Sequence, residues 1–358
     1  MIVRRSTLWL HAGRGFRCFF LALAVSVLGL LAIISSAPVQ AADPIVLRFG
    51  DDLPKTHPIS VYASKFWMDT VERLTNGRVQ FQWYPSAQLG KGRDILALVQ
   101  SGAIDVGSIG PSYTPDKLPL SAAAELPGMF NSSCTGSQAV WALLKRGGIL
   151  DQKEFAPLGL HVVFGLTNPP YEIQTVNRAV AKPADMKGLR LKTLGGASDE
   201  AALKLGAVPV QMAVSDLFLA LQRGTVDGRF GAFTSVYANS TQDVLNHSTV
   251  GADIGSFVLT TYIGDARWKS LPLDIQDAML QAGDETWKNF CKEADAENAS
   301  QAQQLQDKNH WVLHSMTPDE LAEWHKVLAP VADDWAKTLD GRGKPASAVL
   351  SAFRAAVQ

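Results

Sequence analysis

Across residues 189–193 apolar and charged side chains alternate with a period of two, which predicts a strand with Leu189 and Leu191 toward a core and Arg190 and Lys192 facing outward. Gly195 and Gly196 follow as a turn, and a second short apolar run occupies residues 205–212. Ser215 suits the N-cap of a helix in which Leu217, Phe218 and Leu221 share one face, and Gly224 sits where a left-handed stop is wanted. A short strand at Thr225-Val226 and a turn at Asp227-Gly228 close this unit. Its last part has an echo earlier in the chain, where Gln100, Gly102, Ile104 and Asp105 stand in the order of Gln222, Gly224, Val226 and Asp227. Two matches this short leave two readings open, a repeated lobe or a generic helix-to-strand turn.

The rest of the chain keeps the alternation of strands and helices. Residues 45–49 and 79–83 read as strands, with a helix over 60–74 between them that stops at Thr75-Asn76-Gly77. A helix over 94–100 ends at Gly102, and 106–109 and 160–165 read as further strands. Thr167-Asn168-Pro169-Pro170 then marks a crossing between lobes, either as a hinge or as an ordinary loop. Residues 274–309 contain no proline and predict a helix long enough to bridge two lobes, interrupted or bent near Gly283. Thr317-Pro318-Asp319-Glu320 is a capping box with proline at the first helical position, and a last amphipathic segment covers 346–357. Strands alternating with helices predict an α/β protein whose sheets are covered on both faces.

The N-terminus breaks this pattern. A basic stretch to Arg17, an apolar run over 18–34 and small residues ending at Ala41 have the layout of an export signal, with cleavage expected after Ala41 or Ala42. An uncleaved anchor is the alternative, because the apolar run is slightly long, and Arg4-Arg5 hints at twin-arginine export. The 358 residues carry a formal net charge of −1, and the signal segment contributes four arginines and no acid, so the remainder is mildly acidic. That balance argues against nucleic acid as a partner. Cys18 falls within the signal; Cys134 and Cys291 are either a disulfide of an exported protein or two separate buried thiols.

Enzyme signatures are absent from the sequence: no G-x-S-x-G, Walker loop, G-x-G-x-x-G or H-E-x-x-H occurs. His310 and His314 flank a strand-like Trp-Val-Leu run and read as packing or surface residues, and no cysteine–histidine spacing suits a metal. No catalytic residue, metal or cofactor is expected.

One ordered set of short motifs narrows the reading: His57-Pro58, Thr75-Asn76-Gly77, Tyr84-Pro85, Gln88-Leu89-Gly90, Gly102 with Asp105, Leu126-Pro127, Asp185 with Lys187-Gly188-Leu189, Leu205-Gly206-Ala207 with Pro209, Ala220-Leu221-Gln222, Asp227-Gly228, and Trp268 with Leu271-Pro272. In this order the chain resembles the substrate-binding proteins of tripartite ATP-independent periplasmic (TRAP) transporters, of the dicarboxylate-binding type. The resemblance implies a two-lobed, type II-like periplasmic-binding-protein fold with a ligand cleft between lobes and a long connecting helix. It places lobe I at 43–168 plus about 255–296 and lobe II at about 169–254 plus 297–358. It also implies periplasmic location, capture of a small organic acid by a monomer, and delivery to the small and large subunits of a membrane permease.

The resemblance implies a site as well. Lys192 takes the place of the family's carboxylate-binding arginine, and Arg229, in a segment where relatives often have Gln-Glu-Asn-Pro, offers a guanidinium in its stead. Glu172 stands where sugar-acid binders carry a second arginine, which would disfavour a dicarboxylate and favour an amine or hydroxyl. Asp52, Lys91, Gly110 and Ser112 match first-lobe loops that meet ligand, and Phe230 and Phe233 are candidates for stacking on an aromatic acid. With these replacements the expected ligand widens from dicarboxylates to aromatic or amino-containing acids; a periplasmic enzyme using the same cleft is the more distant alternative.

Overall fold

The computed structural model describes residues 43–358. Its strands are β1 (Ile45–Asp51), β2 (Val79–Tyr84), β3 (Val106–Ile109), β4 (Leu160–Thr167), β5 (Glu172–Thr175), β6 (Arg190–Thr193), β7 (Val208–Gln211), β8 (Gly228–Gly231), β9 (His247–Val250), β10 (Val258–Gly264) and β11 (Val312–Ser315). Its α-helices are α1 (Phe66–Leu74), α2 (Ile95–Gln100), α3 (Ser133–Leu144), α4 (Ala197–Lys204), α5 (Leu217–Gln222), α6 (Thr234–Ala238), α7 (Asp265–Ser270), α8 (Leu273–Asn309), α9 (Pro318–Asp340) and α10 (Ala346–Val357). The expected signal segment lies outside the described residues, and no described helix is long and apolar enough to cross a membrane.

Two sheets form, in the orders β2-β1-β3-β10-β4 and β11-β9-β5-β8-β6-β7. Each contains a parallel trio, β2-β1-β3 or β7-β6-β8, flanked by an antiparallel strand, β10 or β5. Strands β3, β5, β8 and β10 are buried along their whole length, as expected for central strands covered on both faces.

The echo in the sequence is a structural repeat. Asp105 lies just before β3 and accepts from the backbone N and Nε of Arg48 on β1, at 2.8 and 3.0 Å. Asp227 lies just before β8 and accepts from the same two atoms of Arg190 on β6, at 2.9 and 3.0 Å. In each copy the aspartate also returns its own backbone N–H to the arginine carbonyl, which locks the register of the parallel pair. Gly102 and Gly224, with φ of +73° and +66°, supply the left-handed turn that each aspartate needs before it. The expected strand at Thr225-Val226 begins instead at Gly228, because residues 225–227 are occupied by this turn and clamp.

Two segments cross between the sheets and hydrogen-bond to each other. Asn168 and Tyr171 donate backbone N–H groups to the carbonyls of Phe257 and Gly255 at 2.9 and 2.8 Å. Helix α8 is the third connection. It packs on α1, α3 and β4 with its first half, and its second half reaches α6, where Asn298 Oδ1 accepts from Phe233 N at 2.8 Å. The helix runs unbroken through Gly283, contrary to the expected interruption. A Cβ at Gly283 would lie 2.0 Å from the Val163 carbonyl oxygen, so the glycine serves a close helix-on-strand approach. Cys134 at the start of α3 and Cys291 in α8 form a disulfide, which resolves the two readings left open by the sequence. The C-terminal helix α10, grouped above with lobe II, packs on α3 and brings Phe353 against Phe130. Thr317 and Glu320 make the reciprocal bonds of the capping box at the start of α9.

Candidate ligand-binding site

The carboxyl ends of the parallel strands face a cleft between the two sheets, with about 580 Å³ of space including its mouth. On the second-sheet side, strand register builds the floor. Lys192 of β6 is the cross-strand neighbour of Arg229 of β8, and Arg229 is the neighbour of Gln174 of β5. The corresponding pair in the first sheet is Gly50 and Gly107. Both cations therefore come from one lobe, and the other contributes Asp52, His57 and Tyr113 to the opposite wall. Asn168 and Tyr171 enter from the first crossing segment.

The two cations are almost wholly buried, at 6% exposure for Lys192 and 3% for Arg229. Arg229 Nε donates to Gln174 Oε1 at 2.8 Å, while Nη2 is buried with no hydrogen-bond partner among the described residues. A Cβ on Gly231 would come within 2.9 Å of Nε and 3.1 Å of Cζ, so only glycine lets the guanidinium lie flat along β8. Burial costs both groups charge stability. Desolvation, then the nearby Arg229 charge, bring Lys192 down to about 7, against a smaller opposing pull from Asp52. Arg229 falls to about 10, mainly by desolvation, and burial raises Asp52 to about 6. Two like charges side by side in a water-poor floor form a site that an anion would complete.

The remaining walls are largely apolar, formed by Leu53, Ile59, Leu194, Phe230, Phe257 and their neighbours. His57 is brought down to about 4 by burial and then by Arg229, and its Nδ1 accepts from Ile59 N at 3.2 Å, so it stands in the cleft as a neutral ring. A second cavity of about 290 Å³ adjoins the first and shares Tyr171, Lys192, Leu194 and Phe230 with it.

Of the residues singled out in the sequence, Lys192, Arg229 and Asp52 meet in the cleft, Phe230 lines it, and Ser112 lies in the adjoining cavity. Gly110 touches the site indirectly: a Cβ there would sit 2.2 Å from the ring of Phe257. Glu172 does not face the ligand space. Its carboxylate accepts from Thr249 Oγ1 and Gly251 N at 2.7 Å and Ala252 N at 3.1 Å, which ties β5 to the start of the second crossing. Phe233 is buried at 2% exposure in the core beneath α5 and α6, and Lys91 is exposed on the loop beside Asp52. The sequence reading missed Tyr113, Asn168, Tyr171 and Phe257. The first follows the carboxyl end of β3 and the others lie in the crossings, so the rule that ligands meet strand ends and switch points could have found them.

Comparison with known proteins agrees with this architecture. The DctP family, described as bacterial extracellular solute-binding protein, family 7, matches residues 49–338. A C4-dicarboxylate-binding periplasmic protein of Rhodobacter capsulatus is 28% identical over 318 residues, covering 86% of this chain and 91% of the relative. Among solved structures, a TRAP periplasmic solute-binding protein of Desulfovibrio salexigens superposes with a TM-score of 0.75 at 27% identity, over 87% of this chain and 95% of the other. One from Rhodoferax ferrireducens, in complex with copurified benzoate, gives 0.79 at 22% identity, over 87% and 97%. With a two-lobed fold, a cationic cleft at its strand ends and a family match over most of its length, the chain belongs to the family 7 bacterial extracellular solute-binding proteins, the receptors of TRAP transporters.

Proposed function

We propose that this chain is the extracytoplasmic receptor of a TRAP transporter for a small monocarboxylate with an apolar, ring-sized body. The observation that carries the reading is the buried Arg229 Nη2, which has no partner and lies beside Lys192 in the cleft. A carboxylate can take that donor together with the Lys192 ammonium as charge-assisted bonds in a desolvated setting. The body of the ligand then rests against Phe230, Phe257 and Tyr113. Among the described residues no cation lines the far wall, where Asp52 and neutral His57 stand, so a second carboxylate finds no partner in the cleft itself. The Rhodobacter relative is named for C4-dicarboxylates and the Rhodoferax structure holds benzoate; the lining of this cleft favours the second kind of acid.

Titration calorimetry separates them. Benzoate or phenylacetate should bind at least about tenfold more tightly than succinate, the difference expected for leaving one carboxylate unpaired in the cleft. Tighter binding of succinate would overturn the monocarboxylate reading in favour of a dicarboxylate receptor. In the cell the ligand-loaded monomer would deliver its acid to the small and large membrane subunits of the permease.

Export completes this reading. The basic, apolar and small-residue segments ending at Ala41 are those of a cleaved signal. The protein released by osmotic shock should have an intact mass that starts at Ala42 or Asp43. Retention of residues 1–41 in a membrane fraction would show an anchored receptor instead.

A further inference from the structure

We propose that the smaller cavity beside Lys192 is a subsite for a hydrogen-bond donor, a hydroxyl or an ammonium, carried by the ligand next to its carboxylate, and that Glu125 reads that donor. This deepens the carboxylate reading and rests on it.

The cavity is rich in acceptors. Glu125 is 5% exposed, and its Oε1 accepts from Ser112 Oγ and, at 3.3 Å, from Val258 N. Its second carboxylate oxygen has no hydrogen-bond partner among the described residues, and Glu125 lines this cavity as well as a neighbouring one bounded by Pro111 and Trp335. Thr193 Oγ1, on the same cavity, is buried and unpartnered. The hydroxyls of Ser198 and Ser256 already donate, to the carbonyls of Gly195 and Asn168 at 2.9 and 2.8 Å, and Ser198 Oγ also accepts from Leu194 N at 3.3 Å, so neither has a proton left for the occupant. Lys192 is the one cation on its wall among the described residues, and it faces the main cleft as well. The Glu125 oxygen left without a donor in a buried pocket is costly unless the occupant brings one.

Position sets which part of the ligand enters. A carboxylate held by Lys192 and Arg229 puts the carbon next to it at the junction of the two cavities, because Lys192 and Tyr171 line both. A substituent on that carbon can pass Tyr171 toward Glu125 while the ring stays against the apolar wall. Burial keeps Glu125 up at about 7, with the Ser112 bond opposing, so the group takes either protonation state as the incoming group requires.

The test is calorimetry on the purified full chain with phenylacetate, its α-hydroxy derivative mandelate and its α-amino derivative phenylglycine. Mandelate and phenylglycine should each bind about tenfold more tightly than phenylacetate. Glu125→Gln should remove the advantage of phenylglycine, and the near-isosteric Glu125→Met that of both, with phenylacetate affinity unchanged. Melting temperatures report folding, and the Gln variant alone decides the matter if the Met variant does not fold. Binding of phenylacetate without any preference for the substituted acids, or a preference that survives Glu125→Gln for the ammonium, would overturn the subsite while leaving the carboxylate reading intact. Failure of all three acids to bind would overturn both.

Discussion

Replacing Arg229 with alanine should weaken binding of the carboxylate ligand about a hundredfold. The guanidinium contributes the unpaired Nη2 donor, and loss of one charge-assisted bond in a desolvated site costs about 3 kcal/mol. Arg229→Lys should fall between, since an ammonium keeps the charge but cannot hold both Gln174 and the ligand in the flat fork that Gly231 accommodates. The same cations predict a proton signature. In the free protein Lys192 sits near 7, and a bound anion favours its charged form. At pH 8 binding should therefore take up protons, read as a dependence of the calorimetric enthalpy on buffer ionisation, and affinity should decline as pH rises above 7. Asp52 and Arg229 shift in the same sense when an anion arrives. The free protein shows the converse: a lysine held below its unfolded value binds fewer protons folded than unfolded, so this group adds stability as pH rises from about 7 to about 10. Undiminished affinity in Arg229→Ala, with its fold intact by circular dichroism, would place recognition elsewhere in the cleft.

Removal of the disulfide should produce the largest change in stability. Cys134 and Cys291 are 157 residues apart in sequence and join α3 to the long helix α8. A crosslink over so long a loop restricts the unfolded chain by about 3 to 5 kcal/mol. For a domain of this size that corresponds to a fall of roughly 5 to 8 °C in melting temperature. Cys134→Ser with Cys291→Ser, or reduction of the native protein, should show it by calorimetry. Ligand affinity should hold, because neither cysteine lines the cleft and Asp295 still accepts from Ser133 N and Cys134 N at 2.8 and 3.2 Å. Two titratable thiols in the oxidised native protein, or an unchanged melting temperature, would rule out this account of the crosslink.

Much of the architecture is written locally. Period-two alternation marked β1, β2 and β6, glycine stops marked the ends of helices, and the reciprocal bonds of Thr317 and Glu320 follow from their spacing alone. The paired Gln-x-Gly-x-x-Asp segments encoded the arginine clamp of each lobe, although the clamp's partners Arg48 and Arg190 sit at distances that no local pattern spans. The order of short motifs was enough to identify the family and to single out Lys192 and Arg229. Tertiary structure decided which charges matter. Strand register put Lys192 beside Arg229 and made a buried cationic pair that includes Lys192, which alternation alone would leave on an outer face. It turned Glu172 away to hold the 249–252 segment, sent Phe233 into the core, and made Gly283 a contact point instead of a break. The physical reason is common to all of these. Local pattern reports which side of an element a residue is on, whereas charge, solvation and partners depend on what another part of the chain brings to that side, and that is fixed only when the sheets, the crossings and α8 come together.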